Sequence, residues 1–456
     1  MVALDPEAPE GELDACVRAA GVTILISCDV AAFQTKALNL TQRTGIPTLM
    51  LVAYAAMLPA ASAARVLSLG RTLARPTPAA GPRVLFERTL LRDKATEAVV
   101  QSGPTPRAAL PSDTAFIVWV NERGVGRPIE LSHASLARNL AQLCAALPKF
   151  RQGGERVLAA LPWWHPLAFM LVGVAMIDGA GIAMLPELSV GALSAALKRT
   201  TPTVIMVSPP FLAGLLERPD LDPSALTALT LTITLGGPIT APLQEAFAAR
   251  ARGALIESYA LAIAPHVVAL TQPGDANPSA ALQPLAGTRF SVRDFADPTR
   301  DVPAGERGEL FVAGPQMGAP GRGAEFQRTG DLALMDALGR VILIDRIEDL
   351  IVAAGYLIYP RRIEAALAGH PGVAEAAVIG IPDARRGNAP KAFIVLKRGM
   401  AITERDLRLH LASRISKIEM PADIDFCTSL PRDPFGFVCK AALRSQEAAR
   451  AASGPV

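Results

Sequence analysis

The sequence predicts an α/β fold, with layers built on largely parallel sheets and a separate small α+β domain at the end. Three observations predict it. Apolar runs rich in β-branched residues alternate with helix-patterned segments through most of the chain. The 456 residues are 50% hydrophobic, enough for about two to four domains with sizeable cores. The pattern then changes near Asp345, beyond which strands, a turn and a capped helix fill roughly a hundred residues, a common domain size.

Val22–Ser27 (VTILIS) reads as a buried strand, being a β-branched apolar run between polar residues. Ala31–Thr44 reads as a helix and Pro47–Val52 as the next strand. Leu73–Arg83 (LARPTPAAGPR) is rich in Pro and Ala without periodicity and reads as a loop. Helix Ala134–Leu147 is then followed by strand Val157–Leu161, and helix Gly191–Lys198 by strand Val204–Val207. Pro166–Pro186 has the length of a membrane span, which needs about 20 apolar residues. Asp178 and the Gly179–Gly181 break divide it instead into a buried helix and a buried strand. In the tail come strand Val373–Ile379, a Pro-Asp-Ala-Arg-Arg-Gly turn, strand Lys391–Leu396 and helix Glu404–Ser416. Thr403 and Asp406 have the spacing of a cap for that helix.

Charge and cysteine usage exclude several classes. Lys and Arg number 45 against 42 Asp and Glu, for a net charge of +3, and no run of like charge stands out. A nucleic-acid partner would call for a clustered basic footprint, so none is expected. Cys16, Cys28, Cys144, Cys427 and Cys439 are odd in number, scattered, and never spaced C-x-x-C, which is neither a disulfide framework nor a zinc site. The histidines show no ligand spacing, so no metal site is expected from them. The acidic start, Met1–Cys16, lacks the basic region and apolar core of a signal peptide. A cytoplasmic location is expected, with peripheral contact at the inner membrane left open.

GRVILIDRIEDLIVAAGYLIYPRRIEAAL, Gly339–Leu367, resembles the hinge-and-pantetheine segment of the adenylate-forming family, in particular the long-chain fatty acyl-CoA synthetases. Other blocks follow in that family's order. RTGD (Arg328–Asp331) resembles its ribose-binding turn, and LGGPITAPLQEAF (Leu235–Phe247) its adenine-side Gly-Gly loop. ESYALAIAPHV (Glu257–Val267) stands where the family has G-Y-G-L-T-E. ALPWWH (Ala160–His165) matches A-L-P-L-Y-H, and SLPRDPFGFVCKAAL (Ser429–Leu443) matches the terminal lysine block. The resemblance implies that Gly236, Gly237 and Tyr259 meet the adenine. It implies that Thr329 and Asp331 hold the ribose turn and that Arg346 reaches the same ribose. Glu348 is implied as the polar hinge, Gly355 as lining the pantetheine tunnel, and His165 as lying near the acyl pocket. Plain structural roles stand beside these: core packing for Tyr259, a turn and an ion pair for Asp331 and Arg346, a satisfied core histidine for His165.

In that family a carboxylate attacks the α-phosphate of ATP, giving acyl-adenylate and pyrophosphate, and the CoA thiol then displaces AMP. The first step needs donors that cradle a polyphosphate, Mg²⁺ to neutralise it, and a lysine at the α-phosphate. The corresponding loop here is WVNERGVGRPIELSH, Trp119–His133, with no Thr or Ser before Ser132 and a carboxylate at Glu122. Gly124, Gly126 and Arg127 are its remaining anion-binding features, but a lone G-x-G is a weak signal and the plain reading is a degraded strand-turn-strand. Ala262 and Ile263 replace the family's Thr-Glu, and an apolar side chain cannot ligate Mg²⁺. Phe437 takes the catalytic lysine position. Lys440, three residues on, is either a substitute or a solvated helix lysine. Losing one preorganised donor typically costs about 3 kcal/mol of transition-state stabilisation, and three losses on one charge cluster do not simply add. Pro6–Val30 resembles a segment well inside the family's large domain, so its opening elements are expected to be missing, leaving sheet edges that favour self-association.

The expected architecture is an AMP-binding-like domain over residues 1–344, of stacked, mostly parallel sheets with flanking helices, hinged to a small mobile α+β domain over 345–456. The expected function is that of an acyl-CoA synthetase-like protein deficient in ATP-dependent adenylation, acting by binding a fatty acid, acyl-CoA or adenosine nucleotide. The alternatives are a working fatty acid–CoA ligase that uses Arg127 and Lys440, and a non-catalytic partner of a true ligase. AMP or ATP and CoA are the ligands the resemblance implies, while Ile263 argues against Mg²⁺.

Overall fold

The computed structural model describes residues 1–53, 82–86, 108–122, 125–150, 154–161, 164–185, 188–261, 267–272, 281–317 and 325–453. Ile263 and most of the expected loop Leu73–Arg83 lie outside the described residues. The described residues form two compact units.

The first unit is built on Met1–Ala134 and Trp164–Pro166. It contains α1 (Glu10–Ala19), β1 (Ile24–Cys28), α2 (Ala31–Thr44), β2 (Thr48–Val52) and β3 (Arg83–Phe86). The strands pair in parallel in the order β1-β2-β3. Leu13, Val17, Leu25, Leu40, Leu49 and Leu51 form the core beneath the helices. The expectation of a buried strand at Val22–Ser27 is corrected, because β1 is an edge strand. Leu25 points into the core while Ile24 and Ile26, on the other face, are 52% and 61% exposed. The same unit holds an antiparallel pair, β4 (Thr114–Glu122) with β5 (Val125–Ser132), and residues 123 and 124 between them lie outside the described residues.

In the second unit, α3 (His133–Ala146) leads into a seven-stranded sheet. The elements are β6 (Arg156–Ala160), α4 (Pro166–Ile177), β7 (Gly181–Met184), α5 (Val190–Thr200), β8 (Val204–Val207), α6 (Pro209–Leu216), α7 (Pro223–Thr227), β9 (Leu231–Leu235), α8 (Ala241–Ala248), β10 (Ala254–Ala260), β11 (Val267–Leu270) and β12 (Gln283–Pro284). The strand order is β12-β11-β10-β9-β8-β6-β7, parallel from β7 to β10. Strands β8 (VIMV) and β9 (LTITL) are buried along their whole length, as continuous apolar runs in a covered sheet must be. The chain goes from β6 to β7 on one side and returns to β8 on the other. That reversal is a topological switch point, and open α/β sheets bind ligands outside the carboxyl ends of their strands at such points.

Pro166–Pro186 does divide into a helix and a strand, but neither is fully buried, because β7 is the sheet edge. Leu167, Leu171 and Val174 face the core, while Met176, Ile177 and Met184 are exposed. Twelve residues of α4 span about 18 Å, short of a hydrocarbon core of about 30 Å. Among the described residues no helix is long and apolar enough to cross a membrane.

A second sheet departs from the largely parallel expectation. β13 (Arg289–Arg293), β14 (Arg307–Ala313), β15 (Gln327–Met335) and β16 (Val341–Arg346) form a four-stranded antiparallel meander.

After a 3-10 turn at Ile347–Asp349 the chain makes an α+β assembly with its own core of Ile351, Ile363, Leu367, Val378, Ile394, Leu407 and Leu411. Its elements are β17 (Ile351–Ala353), β18 (Tyr356–Ile358), α9 (Pro360–Ala368), β19 (Val373–Asp383), β20 (Gly387–Leu396), α10 (Glu404–Ala412), β21 (Asp423–Cys427) and α11 (Lys440–Ser453). The two short expected strands are really one long hairpin. Pairing of β19 with β20 runs out to Asp383 and Gly387, and Asp383 Oδ1 accepts the Arg385 and Arg386 N–H groups at the turn. The cap is present as expected, Thr403 and Asp406 each satisfying the other's backbone N–H. Helix α10 ends at Ala412 rather than Ser416, because the Ser416 N–H and hydroxyl turn instead to Glu419 Oε2, each at 2.8 Å.

Candidate functional site

Antiparallel pairing of β15 with β16 sets Asp331 directly opposite Arg346. Arg346 Nη1 donates to Asp331 Oδ1 at 3.1 Å, and Tyr259 OH, from the end of β10, donates to Oδ2 at 2.5 Å. Thr329 Oγ1 donates to the Leu310 carbonyl at 2.9 Å and accepts the Asp331 N–H at 3.1 Å, which fixes the backbone that carries the carboxylate. Arg346 Nη2 also lies 3.6 Å from Glu348. Tyr259 is buried among Leu261, Val268, Leu282 and Val292. That burial, with the charge of Asp331, pushes its phenol well above the usual range. Burial alone would lower the Arg346 guanidinium, but the charges of Asp331 and Glu348 outweigh it and hold it up. Tyr259 and Arg346 thus converge on one buried carboxylate, that of Asp331, whose two oxygens both hold donors, with Thr329 fixing its backbone and Glu348 beside Arg346. A vicinal diol could exchange with those donors, since its two hydroxyls present the same hydrogens.

A second group forms where β9 ends. Gly236 has φ +88°, a left-handed conformation that favours glycine. Phe437 lies against this turn: a Cβ on Gly236 would stand 2.9 Å from Phe437 Cε2, and one on Gly237 2.5 Å from Cε1. The segment that carries Phe437 is pre-shaped. Asp433 Oδ1 accepts the N–H groups of Phe435 and Phe437, each at 2.9 Å, and the Gly436 N–H donates to the Asp433 carbonyl at 2.9 Å. Ser208 Oγ, just beyond β8, donates to the Phe435 carbonyl at 2.6 Å, and Gly436 packs on Pro210 and Phe211. Asp433–Phe437 is therefore a strap across the carboxyl ends of β8 and β9. Burial pushes the Asp433 carboxyl up.

Lys440 corrects the expectation of a solvated helix lysine. Its Nζ lies 2.8 Å from Glu364 Oε1 and 3.8 Å from Asp349 Oδ2, and its side chain is 14% exposed. Arg444 shares Asp349 at 2.8 Å. These pairs tie the start of α11 to α9 and to the 3-10 turn Ile347–Asp349. Gly355 forms, with Ala354, the two-residue turn of the β17–β18 hairpin. Both have positive φ, +49° and +82°, as the tight turns of such hairpins require, and nothing crowds the place of a Gly355 Cβ. His165 belongs to the first unit, stacks edge-on to Trp164 with ring centroids 6.0 Å apart, and is pushed down to about 4 by burial.

Sequence reasoning missed Glu257, Asp345, Ser208 and Phe435. Glu257 Oε2 accepts the Ile239 N–H at 2.9 Å, and burial pushes the carboxyl up to about 7 against the opposing pull of that bond and of Arg361. The Arg361 backbone N–H in turn donates to the buried Asp345 at 3.1 Å. Ser208 and Phe435, the anchors of the strap, were not singled out either. The available signals were a carboxylate in the middle of a mostly apolar strand and the D-P-x-G turn at 433–436.

The profile described as AMP-binding enzyme matches residues 1–319, and that described as AMP-binding enzyme C-terminal domain matches 362–436. A long-chain-fatty-acid--CoA ligase of Bacillus subtilis (strain 168) is 28% identical over 337 residues, covering 71% of this chain and 60% of its own. The fatty acid--[acyl-carrier-protein] ligase ScoC of Streptomyces coeruleorubidus is 34% identical over 259 residues, covering 54% and 50%. The chain thus matches less than two thirds of the length of either ligase. Among solved structures, the amide bond synthetase McbA from Marinactinospora thermotolerans superposes with TM-score 0.77 at 23% identity, over 98% of this chain and 84% of that one, which establishes the shared fold.

Proposed function

This chain belongs to the AMP-binding enzyme family, and from that premise we propose that it binds the ligands of an acyl-CoA synthetase while being deficient in ATP-dependent adenylation. The acyl ligand in this reading is a fatty acid or its CoA thioester, and the nucleotide is AMP or the adenosine part of CoA. One observation carries the deficiency: an uncharged phenyl ring, that of Phe437, and not an ammonium, stands on the Gly236–Gly237 turn. Lys440, the nearest substitute in sequence, has its charge engaged by Glu364 and Asp349. Ile263 offers no oxygen to Mg²⁺.

The nucleotide side is better supplied. Asp331 with Arg346 would hold the ribose hydroxyls, with Tyr259 alongside, and Thr329 keeps the carboxylate in place. Gly355 and His165 belong to the CoA and acyl side of the reading, and Glu348 to its hinge. The boundary near residue 344 is supported by the two family profiles, which stop at 319 and resume at 362. Cytoplasmic location, self-association and contact with a membrane surface belong to the same reading. A working ligase is the second reading, favoured by the relatives, whose names are those of ligases.

ATP–pyrophosphate exchange on the purified protein, with a panel of fatty and aromatic acids, separates the two. Background exchange together with a melting temperature raised by AMP is the expected result. Mg²⁺- and acid-dependent exchange at ordinary ligase rates would establish the second reading instead.

A further inference from the structure

We propose that the strap Asp433–Phe437 is a built-in occupant of the ligand crevice, and that Phe437 holds the glycine ledge on which the flat base of an adenosine nucleotide would otherwise rest. The inference rests on the nucleotide-binding reading above and adds to it a competition between the chain and its ligand.

The strap's location is the first support. Ser208 follows β8 and Gly236 follows β9, so the strap spans the carboxyl ends of neighbouring parallel strands beside the point where the sheet order reverses. That is the place where such sheets take ligands. Shape is the second. Gly236 and Gly237 present bare backbone, and the ring comes so close to both that neither could carry a side chain. A surface of that kind accepts a flat ring and little else, and here the protein supplies the ring itself.

The way the strap is fastened is the third support. Asp433 folds it internally, and Ser208 Oγ ties it to the end of β8 through the Phe435 carbonyl. Phe435 adds an apolar anchor against the core beneath the sheet. A strap preformed by Asp433 can leave and return as a body, with its internal hydrogen bonds kept. The array at Asp331, by contrast, is polar. Both of its carboxylate oxygens hold donors that can be exchanged for hydroxyls. One half of the site is held by an occupant, and the other half is kept ready.

A nucleotide then binds only the fraction of molecules whose strap is lifted, and its apparent affinity is reduced by that fraction. The test is calorimetric titration of the full chain with AMP for the wild type, Phe437→Ala and Ser208→Ala. Hydrogen exchange at the Gly236–Ile239 amides is followed alongside. Phe437→Ala is expected to bind AMP about tenfold tighter, equivalent to about 1.4 kcal/mol, and to show faster exchange at the ledge before ligand is added. Ser208→Ala, which loosens the tie without touching the ledge, is expected to move in the same direction by a smaller factor. Equal or weaker AMP binding by Phe437→Ala, with the wild type still binding, overturns the strap and leaves the nucleotide reading standing. If none of the three binds AMP, the nucleotide reading falls and the competition falls with it. Should Phe437→Ala fail to fold, Ser208→Ala decides alone: tighter binding supports the strap, and unchanged or weaker binding overturns it.

Discussion

The ring of Phe437 meets Gly237 so closely that a methyl group on that glycine would lie 2.5 Å from Cε1. Gly237, unlike Gly236, does not occupy a left-handed conformation, so the ring alone makes glycine necessary there. Gly237→Ala is therefore expected to destabilise the protein by about 1–3 kcal/mol, the usual cost of overpacking. In a Phe437→Ala background most of that cost should vanish. Urea denaturation of both single variants and the double gives the coupling directly, and interaction energies between residues in contact run to about 0.5–3 kcal/mol. Additive costs would mean that the ring does not press on the ledge in solution.

Tyr259→Phe removes the donor to Asp331 Oδ2 while leaving Arg346 on the other oxygen. A hydrogen bond to a charged group contributes about 1.5–3 kcal/mol, and the buried oxygen would find no replacement from solvent. A loss in that range by chemical denaturation is expected. A neutral substitution would show that water already serves Oδ2 and that the phenol is mere packing.

Glu257 makes stability depend on pH. Its folded pKa of about 7 lies above the ordinary 4.5, so between those values the folded protein binds more protons than the unfolded chain. Stability from this group is complete below pH 4.5 and is lost as pH rises through 7. The shift corresponds to about 3 kcal/mol at most. Glu257→Gln keeps an acceptor for the Ile239 N–H and carries no charge, so its stability curve should lack that decline and lie above wild type at pH 8. His165, held near 4, acts with the opposite sign, gaining stability as pH rises from about 4 to 6.5, and it cancels in the comparison of the two proteins. Parallel curves from pH 5 to 8 would show that Glu257 ionises normally.

Much of the fold was legible because burial writes periodicity into sequence. VIMV at β8, the helix Ala31–Thr44 and the Thr403–Asp406 cap all report local physics. Exposure did not show, because Ile24 and Ile26 are as apolar as core residues, and only the folded chain reveals that they lie on the open face of an end strand among the described residues. The Asp331–Arg346 pair was suggested by a motif, and the antiparallel register then explains it. Lys440 was misread because its partners, Glu364 and Asp349, come from elements far away in the chain. The strap was illegible for the same reason: Ser208 and Phe435 are 227 residues apart.

The last prediction concerns repair. Ile263→Glu and Phe437→Lys together are expected to raise acyl-adenylate formation above the wild-type level, and either alone to do little. The reason is coupling. A carboxylate at 263 would hold Mg²⁺ on the phosphates, and an ammonium at 437 would stabilise charge at the atom under attack. Each acts fully only once the other has fixed the substrate. Phe437→Lys has a second effect in this structure, since it exchanges the ring on the glycine ledge for a flexible chain and so weakens the strap. The lysine single variant should therefore bind AMP more tightly than wild type even while it fails to adenylate. Recovery should stay well below that of an ordinary ligase, because Trp119–His133 brings no hydroxyl to the phosphates before Ser132. Melting temperatures guard against misreading, since an ammonium or carboxylate buried without a partner costs several kcal/mol. Three stable variants with no activity above wild type and no change in AMP affinity would mean that positions 263 and 437 do not face a common site, and that the family's chemistry cannot be transferred to them residue by residue.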